Sequence, residues 1–256
     1  MRIDRHHGVM NKVLVLVAMA LALPATSLAA GGETHLESAG NDIHNEASLQ
    51  RGARNFVNYC LGCHTAKYVR YNRMAADIGL SEQQMIDNLM FTGDSPHQTM
   101  TNAMDADDAR KWFGVVPPDL SLIARSKGPD YVYTFLKSFY ADPVKATGVN
   151  NLALPGTAMP HVLWELQGMQ EAVWEGHTDA QGNVQKQFKE FKLVAPGKMT
   201  AEQYDAFVRD TVNFLDYIGE PVQARRQALG YGVIAFLVFF TVLAYALKKE
   251  YWKDVK

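Results

Sequence analysis

The chain has 256 residues, 48% of them hydrophobic and 20% charged, with a formal net charge of −2. That length suits one domain with a full apolar core. Residues 31–222 carry 16 Lys+Arg against 24 Asp+Glu, a formal −8, which argues against a nucleic-acid-binding surface and suits either plain solubility or the steering of basic partners.

Residues 1–29 read as a cleaved secretory signal. Arg2, Arg5 and Lys12 precede an apolar run from Val13 to Leu23, Pro24 breaks it, and Ser27-Leu28-Ala29 offers small residues for cleavage. The run is about half the roughly 20 residues that a membrane span requires. A hydrophilic domain is expected over residues 30–222, beginning with a polar, irregular arm at 31–47. Ser48 is placed to cap a helix through Leu49, Ala53, Phe56, Val57 and Tyr59.

That helix runs into Cys60-Leu61-Gly62-Cys63-His64, which holds both cysteines of the chain. The spacing is the one that attaches a c-type haem. Each thiol can add to one haem vinyl group, and the adjacent His64 is then placed to ligate the iron. A zinc site of the usual kind needs four protein ligands, and there is no second cysteine pair. A thioredoxin-like dithiol belongs to a strand–helix context in the cytosol, against which the export signal argues. In bacteria, covalent haem attachment takes place outside the cytoplasmic membrane, as the signal requires.

Further along, Ser81-Glu82-Gln83-Gln84 forms a capping box ahead of a short amphipathic helix with Met85, Ile86, Leu89 and Met90. Residues 92–110 read as polar turns, with Asp105, Asp107 and Asp108 on a solvated loop. Pro117-Pro118 breaks the chain, and Asp119 is placed to cap a helix from Leu120 to Arg125. Gly128-Pro129 ends that helix and opens the next, which carries Tyr131, Val132, Phe135, Leu136 and Phe139. Residues 141–160 read as loop. Gln181-Gly182-Asn183 separates two segments, around Ala172–Trp174 and Phe188–Val194, as the turn of a small β-hairpin. Thr200-Ala201-Glu202-Gln203 is a second capping box and opens a long helix to Ile218, ended by Gly219 and Pro221.

Residues 228–247 contain no charged residue and are long enough to cross the hydrocarbon core. Tyr231, Tyr245, Tyr251 and Trp252 mark the two ends. Lys248, Lys249, Lys253 and Lys256 follow the span, against Arg225 and Arg226 before it. The balance favours a cytoplasmic tail at 248–256. A cleaved signal implies the same topology: one span, with the globular domain outside in the periplasm.

The sixth iron ligand decides between electron transfer and chemistry, and both Met and His serve. Met85 and Met90 sit on an apolar helix face and read as core. Met159 lies in the loop Leu154-Pro155-Gly156-Thr157-Ala158-Met159-Pro160, where helix register does not dictate its direction. Met100, Met104, His97 and His161 remain alternatives on position alone.

Taken together, the signal, the early Cys-x-x-Cys-His, Pro-Pro-Asp-Leu-Ser followed by Ile-Ala-Arg, the Pro-Gly-x-Ala-Met-Pro loop and the C-terminal anchor resemble the cytochrome c1 family. These are the c-type haem subunits of the cytochrome bc1 complex (complex III), and the likeness is to proteobacterial members. It covers essentially the whole mature chain. The resemblance implies a mainly α fold, a cytochrome c-like haem domain with long loops and a small β-hairpin, plus one C-terminal transmembrane helix. It implies one haem c held by Cys60 and Cys63, with His64 and Met159 as the iron ligands. Pro117 and Pro118 would pack on the haem, and Arg125 would pair with a propionate, for which a planar guanidinium is suited. Tyr131 and Tyr133 would face either the haem or the core.

The resemblance further implies single-electron relay from the Rieske iron–sulfur protein to a soluble or membrane-bound cytochrome c. The chain would be an electron carrier rather than an enzyme on its own. It would sit beside cytochrome b in a dimeric complex of the bacterial inner membrane, with no nucleic-acid partner. The rival readings are a stand-alone membrane-anchored cytochrome shuttle and a haem peroxidase or gas sensor with an open sixth site.

Overall fold

The computed structural model describes residues 35–178 and 184–254. The signal reading and the Gln181-Gly182-Asn183 turn lie outside the described residues. Two long helices organise the domain. Helix α1 (Glu46–Tyr59) leads into the cysteine motif, and the long helix near the C-terminal end of the domain, Ala201–Gly219, packs across it.

Their crossing is close because α1 carries Gly52. A Cβ at that position would lie 2.0 Å from the Asp210 carbonyl oxygen, far inside van der Waals contact. Polar side chains lock the same crossing. Ser48 Oγ donates to Asp210 Oδ1 at 2.7 Å, Arg51 donates twice to the same carboxylate at 2.6 and 2.9 Å, and Asn55 Nδ2 donates to Thr211 Oγ1 at 3.1 Å. Phe56 and Phe214 meet at 5.6 Å between ring centroids. Ser48 therefore does not cap the helix. Asn45 does, accepting from the Ser48 N–H, and that leaves the Ser48 hydroxyl free to reach across to Asp210.

Strand β1 (Ala66–Arg70) follows the motif and pairs antiparallel with β2 (Thr99–Met100). Between them lie α2 (Tyr71–Asp77) and α3 (Glu82–Leu89). The α3 capping box is formed as expected, by Ser81 and Gln84. Residues 92–110 are more ordered than their polarity suggests. Asp105 caps α4 (Ala106–Phe113), accepting from the N–H groups of Asp107 and Asp108. Arg110 and Lys111 then pair with those two carboxylates. The three aspartates are thus a helix start rather than a solvated loop, with acidic groups where the helix dipole favours them.

Helix α5 covers Ile123–Lys127, and α6 covers Pro129–Lys137 with Pro129 at its first turn. The helix stops at Lys137, so Phe139, expected on it, instead opens strand β3 (Phe139–Ala141), which pairs antiparallel with β4 (Val149–Asn151) as a hairpin reaching into the stretch expected to be loop. After the short α7 (Trp164–Gln167), β5 (Gly168–Thr178) and β6 (Val184–Pro196) make the expected hairpin, longer than its core segments suggest. The helix at Ala201–Gly219, α8, opens on the Thr200–Gln203 capping box. Apolar side chains from α1, α2, α3, α6 and α8 form the core, with Phe56, Tyr71, Met74, Met85, Val208, Val212 and Phe214 fully enclosed.

Helix α9 (Gln223–Tyr251) has 29 residues and an apolar window of mean hydropathy 2.1. At about 1.5 Å per residue it is roughly 44 Å long, enough to cross a bilayer. It extends beyond the apolar run at both ends, because Gln, Ala, Arg, Lys and Glu are good helix formers.

Candidate haem-binding site

Helix α1 ends at Tyr59 with Cys60 as its C-cap. The chain then turns tightly, with the N–H groups of Cys63 and His64 both donating to the Cys60 carbonyl at 3.1 and 2.8 Å. Both cysteines are half-buried and unbonded to each other. Burial, reinforced by Cys63, pushes the Cys60 thiol up to about 12. These thiols are the groups that would become thioether sulfurs on attachment of a c-type haem. A Cβ on Gly62 would meet nothing within 4 Å, so the turn is open at that residue. No group of three His, Cys, Asp or Glu able to hold a metal ion occurs among the described residues.

The imidazole of His64 is held from one side. Its Nδ1–H donates to the Pro118 carbonyl at 2.8 Å. A neutral imidazole with a proton on Nδ1 presents a bare lone pair on Nε2, the form an iron ligand requires. Burial keeps the ring neutral by lowering its pKa, against smaller opposing effects of the Pro118 carbonyl and Asp119.

The Pro-Pro-Asp-Leu-Ser segment is fastened to the strand after His64 at four further points. Leu120 N–H donates to the Thr65 carbonyl at 2.8 Å, and Tyr68 N–H donates to Ser121 Oγ at 3.2 Å. Asp119 Oδ2 accepts from Thr65 Oγ1 at 2.6 Å and from Lys67 N–H at 2.8 Å. Burial alone would raise the Asp119 pKa, but these bonds and those from Ser121 outweigh it and hold the carboxyl below its ordinary range. Asp119 was expected to cap a helix starting at Leu120. Its other oxygen does accept from Ser121 N–H at 3.0 Å, but the helix begins at Ile123 with no side-chain cap, because the carboxylate is spent on β1.

Pro117 is half-buried and Pro118 exposed; Pro118 acts through its backbone oxygen. Met159 is half-buried in a loop built on two buried asparagines. Asn150 Oδ1 accepts from Gly156 N–H at 2.8 Å, at a residue whose φ of +79° suits glycine. Asn151 Oδ1 accepts from the N–H groups of Ala153 and Leu154 at 2.9 and 3.1 Å, while its Nδ2 donates to the Phe135 carbonyl at 2.8 Å. Thr157 Oγ1 accepts the Met159 N–H at 3.3 Å. The loop is thereby tied to the end of α6.

The alternative ligands divide. Met100 is fully buried in the core and pairs across to Ala66. Met104 is half-buried and donates its N–H to Asn102 Oδ1 at 3.1 Å, and the Asn102 side chain donates to the Leu61 carbonyl at 3.0 Å. His97 is engaged with Asn72 at 2.9 Å. His161 is buried, and its pKa falls to about 4 through burial, which Gln167 and the Gly168 backbone offset in part; its Nε2 has no hydrogen-bond partner.

Arg125 is exposed and forms an ion pair with Glu220 at 2.5 Å; Glu220 also holds Arg226 at the start of α9. Tyr131 is half-buried, and burial raises its pKa. It stacks on Phe135 with Lys127 Nζ 5.8 Å from its ring centroid. Tyr133 is a core residue, with Lys137 donating to its hydroxyl at 3.3 Å. Sequence reasoning missed Asn150, Asn151 and the bridging role of Asp119. The Asn-Asn pair just before a Pro-Gly turn was the available signal.

The Cytochrome C1 family matches residues 38–181 and 192–255, most of the chain. A cytochrome c1 from Allochromatium vinosum is 52% identical over 94% of this chain and 98% of its own length. A protein of Nitrosomonas europaea named ammonia monooxygenase gamma subunit is 43% identical over 96% of this chain and 100% of its own length. A cytochrome c1 from Rhodospirillum rubrum is 26% identical over 94% of this chain and 98% of its own length. With a Cys-x-x-Cys-His turn whose histidine is oriented by Pro118, and a family match spanning the domain and the apolar helix, the chain belongs to the cytochrome c1 family.

Proposed function

We propose that this chain is the haem c subunit of a quinol-oxidising cytochrome bc1 complex, relaying single electrons from the Rieske iron–sulfur protein to a soluble or membrane-bound cytochrome c. The observation that carries the reading is the 2.8 Å bond from His64 Nδ1 to Pro118 O, because it prepares Nε2 of the motif histidine for iron. Haem attached at Cys60 and Cys63 would supply a one-electron ferric/ferrous couple.

The chain's own residues set the conditions for that couple. His64 and Met159 would both ligate the iron, which would favour electron transfer over ligand chemistry and raise the potential through the thioether. Asp119, Thr65 and Ser121 hold the segment that orients His64. Asn150 and Asn151 hold the loop that presents Met159. Helix α9, which carries no acidic or basic residue from Ala228 to Leu247, would serve as a membrane anchor beside cytochrome b, with the haem domain in the periplasm. The membrane is the bacterial inner membrane, and the complex would be dimeric.

Purification in mild detergent tests the assignment. Recovery of b-type haem and an iron–sulfur centre with this chain is the expected result. Recovery of the haem protein alone would identify a free shuttle. The name of the Nitrosomonas relative points to a different assembly, and copurification of a monooxygenase in place of b-type haem would favour that reading.

A further inference from the structure

Beyond the Met159 loop, the chain passes through Pro160 to His161. This imidazole is 5% exposed and lies flat on Phe139, with 5.0 Å between ring centroids and 3° between planes. Phe139 is 1% exposed and meets Phe135 edge-on at 5.1 Å and 71°. Phe135 in turn stacks on Tyr131 at 6.4 Å and 16°. Four rings therefore form one ladder, with centroid separations in the favourable range for aromatic pairs. It starts at Tyr131 near the beginning of α6 and ends two residues from Met159.

Gln167 and the Gly168 backbone act on the imidazole, but they leave one of its nitrogens unpaired. His161 Nε2 is buried with no hydrogen-bond partner, and so is the oxygen of the neighbouring Gln167. An unpaired buried nitrogen is a cost rather than a gain, so the ring is held here by its flat face. Methionine has three rotatable bonds and adapts to its surroundings. A thioether ligand on a loop consequently needs rigid neighbours to hold one geometry. Pro160, with its fixed φ, transmits the orientation of residue 161 to the backbone of residue 159.

We propose that His161 is a positioning residue: its stack on Phe139, which in turn meets Phe135 of α6, anchors the Met159 loop and holds the thioether toward the haem iron. The proposal rests on the reading that Met159 is the axial ligand. It also assigns the work to the ring face and not to the imidazole nitrogens. Phenylalanine should therefore replace histidine, whereas a residue without a ring should not.

The test uses the full chain purified from its membrane as wild type, H161F, H161A, H161L and M159L. Two signals are read: the far-red charge-transfer band between a thioether and ferric iron, and the rate of carbon monoxide binding to the reduced protein. H161F is expected to keep the band and the slow wild-type rate. H161A is expected to lose much of the band and to bind carbon monoxide about tenfold faster, the scale seen when outer-shell support of a metal ligand is removed. If H161A does not accumulate, H161L, similar in bulk but without a ring, is read in the same way. A full band and wild-type rate in the ringless variant would overturn the proposal, as would an H161F protein that behaves like it. An intact band in M159L is a separate result, which overturns the ligand reading itself.

Discussion

Asp119 and Lys67 are 52 positions apart, yet the carboxylate of the first accepts the backbone N–H of the second at 2.8 Å. That bond, with the one from Thr65 Oγ1 at 2.6 Å, fastens the segment that carries Pro118 to the strand that follows His64. The imidazole of His64 is thus oriented by a backbone carbonyl that Asp119 keeps in place.

D119A should leave the backbone N–H groups of Ser121, which is buried, and Lys67, which is exposed, and the Thr65 hydroxyl short of an acceptor, and destabilise the protein by about 1–2 kcal/mol; D119N, which keeps an oxygen, should cost less. Thermal or denaturant unfolding measures the difference. The sign of the pH dependence follows from the depressed native pKa. The contribution is present above the ordinary carboxylate value and disappears as pH falls through the lower native value. D119N should flatten the acid limb of stability against pH, and an unchanged acid limb would contradict the role.

Asn151 is fully buried and serves four partners: Ser138 Oγ, the Phe135 carbonyl, and the N–H groups of Ala153 and Leu154. N151A should cost about 2–4 kcal/mol, since several buried groups lose their bonds at once. It should also loosen Met159, seen as faster carbon monoxide binding to the reduced protein. Stability lost without any change in carbon monoxide binding would separate this asparagine from the ligand loop.

Gly52 permits the closest approach of α1 and α8. G52A places a methyl group 2.0 Å from the Asp210 carbonyl oxygen, which backbone cannot relieve without moving a helix. The expected cost is about 3 kcal/mol or more, at the upper end for overpacked cores. It would be measured as a fall in Tm together with a lower yield of haem-loaded protein. A variant as stable as wild type would show that the crossing is looser than described.

Arg125 separates two roles. Its guanidinium is paired with Glu220 and its side chain is 60% exposed. R125Q should cost only about 0–1 kcal/mol, as exposed ion pairs do, and leave the haem potential unchanged. A marked fall in potential would instead show that the arginine supports a haem propionate, as the family resemblance implies.

Local signals were legible in the sequence wherever they govern structure over one or two turns. The capping boxes at Ser81 and Thr200, Pro129 at a helix start, the apolar run of α9 and the Cys60–His64 motif all read directly. What could not be read is carried by polar side chains meeting partners far along the chain. Ser48 looks like a cap but bonds Asp210, 162 positions away. Asp119 looks like a cap but bonds β1. Asn151 looks like a loop residue but bonds the end of α6. Each has a local use that competes with a distant one, and only tertiary packing decides between them. The β3–β4 hairpin was hidden because its strands are three residues each, too short for alternation to show.

The most direct test of the central claim is a redox-titrated visible spectrum of the purified membrane complex, recorded with and without carbon monoxide. A covalent, six-coordinate haem on Cys60 and Cys63 with His64 and Met159 as ligands predicts one c-type band. It should titrate as a single one-electron wave at positive potential, unaltered by carbon monoxide, and b-type haem should be present in the same preparation. A c-type band that shifts rapidly and completely on adding carbon monoxide would contradict the account, because it would show an open site built for ligand chemistry instead of electron relay.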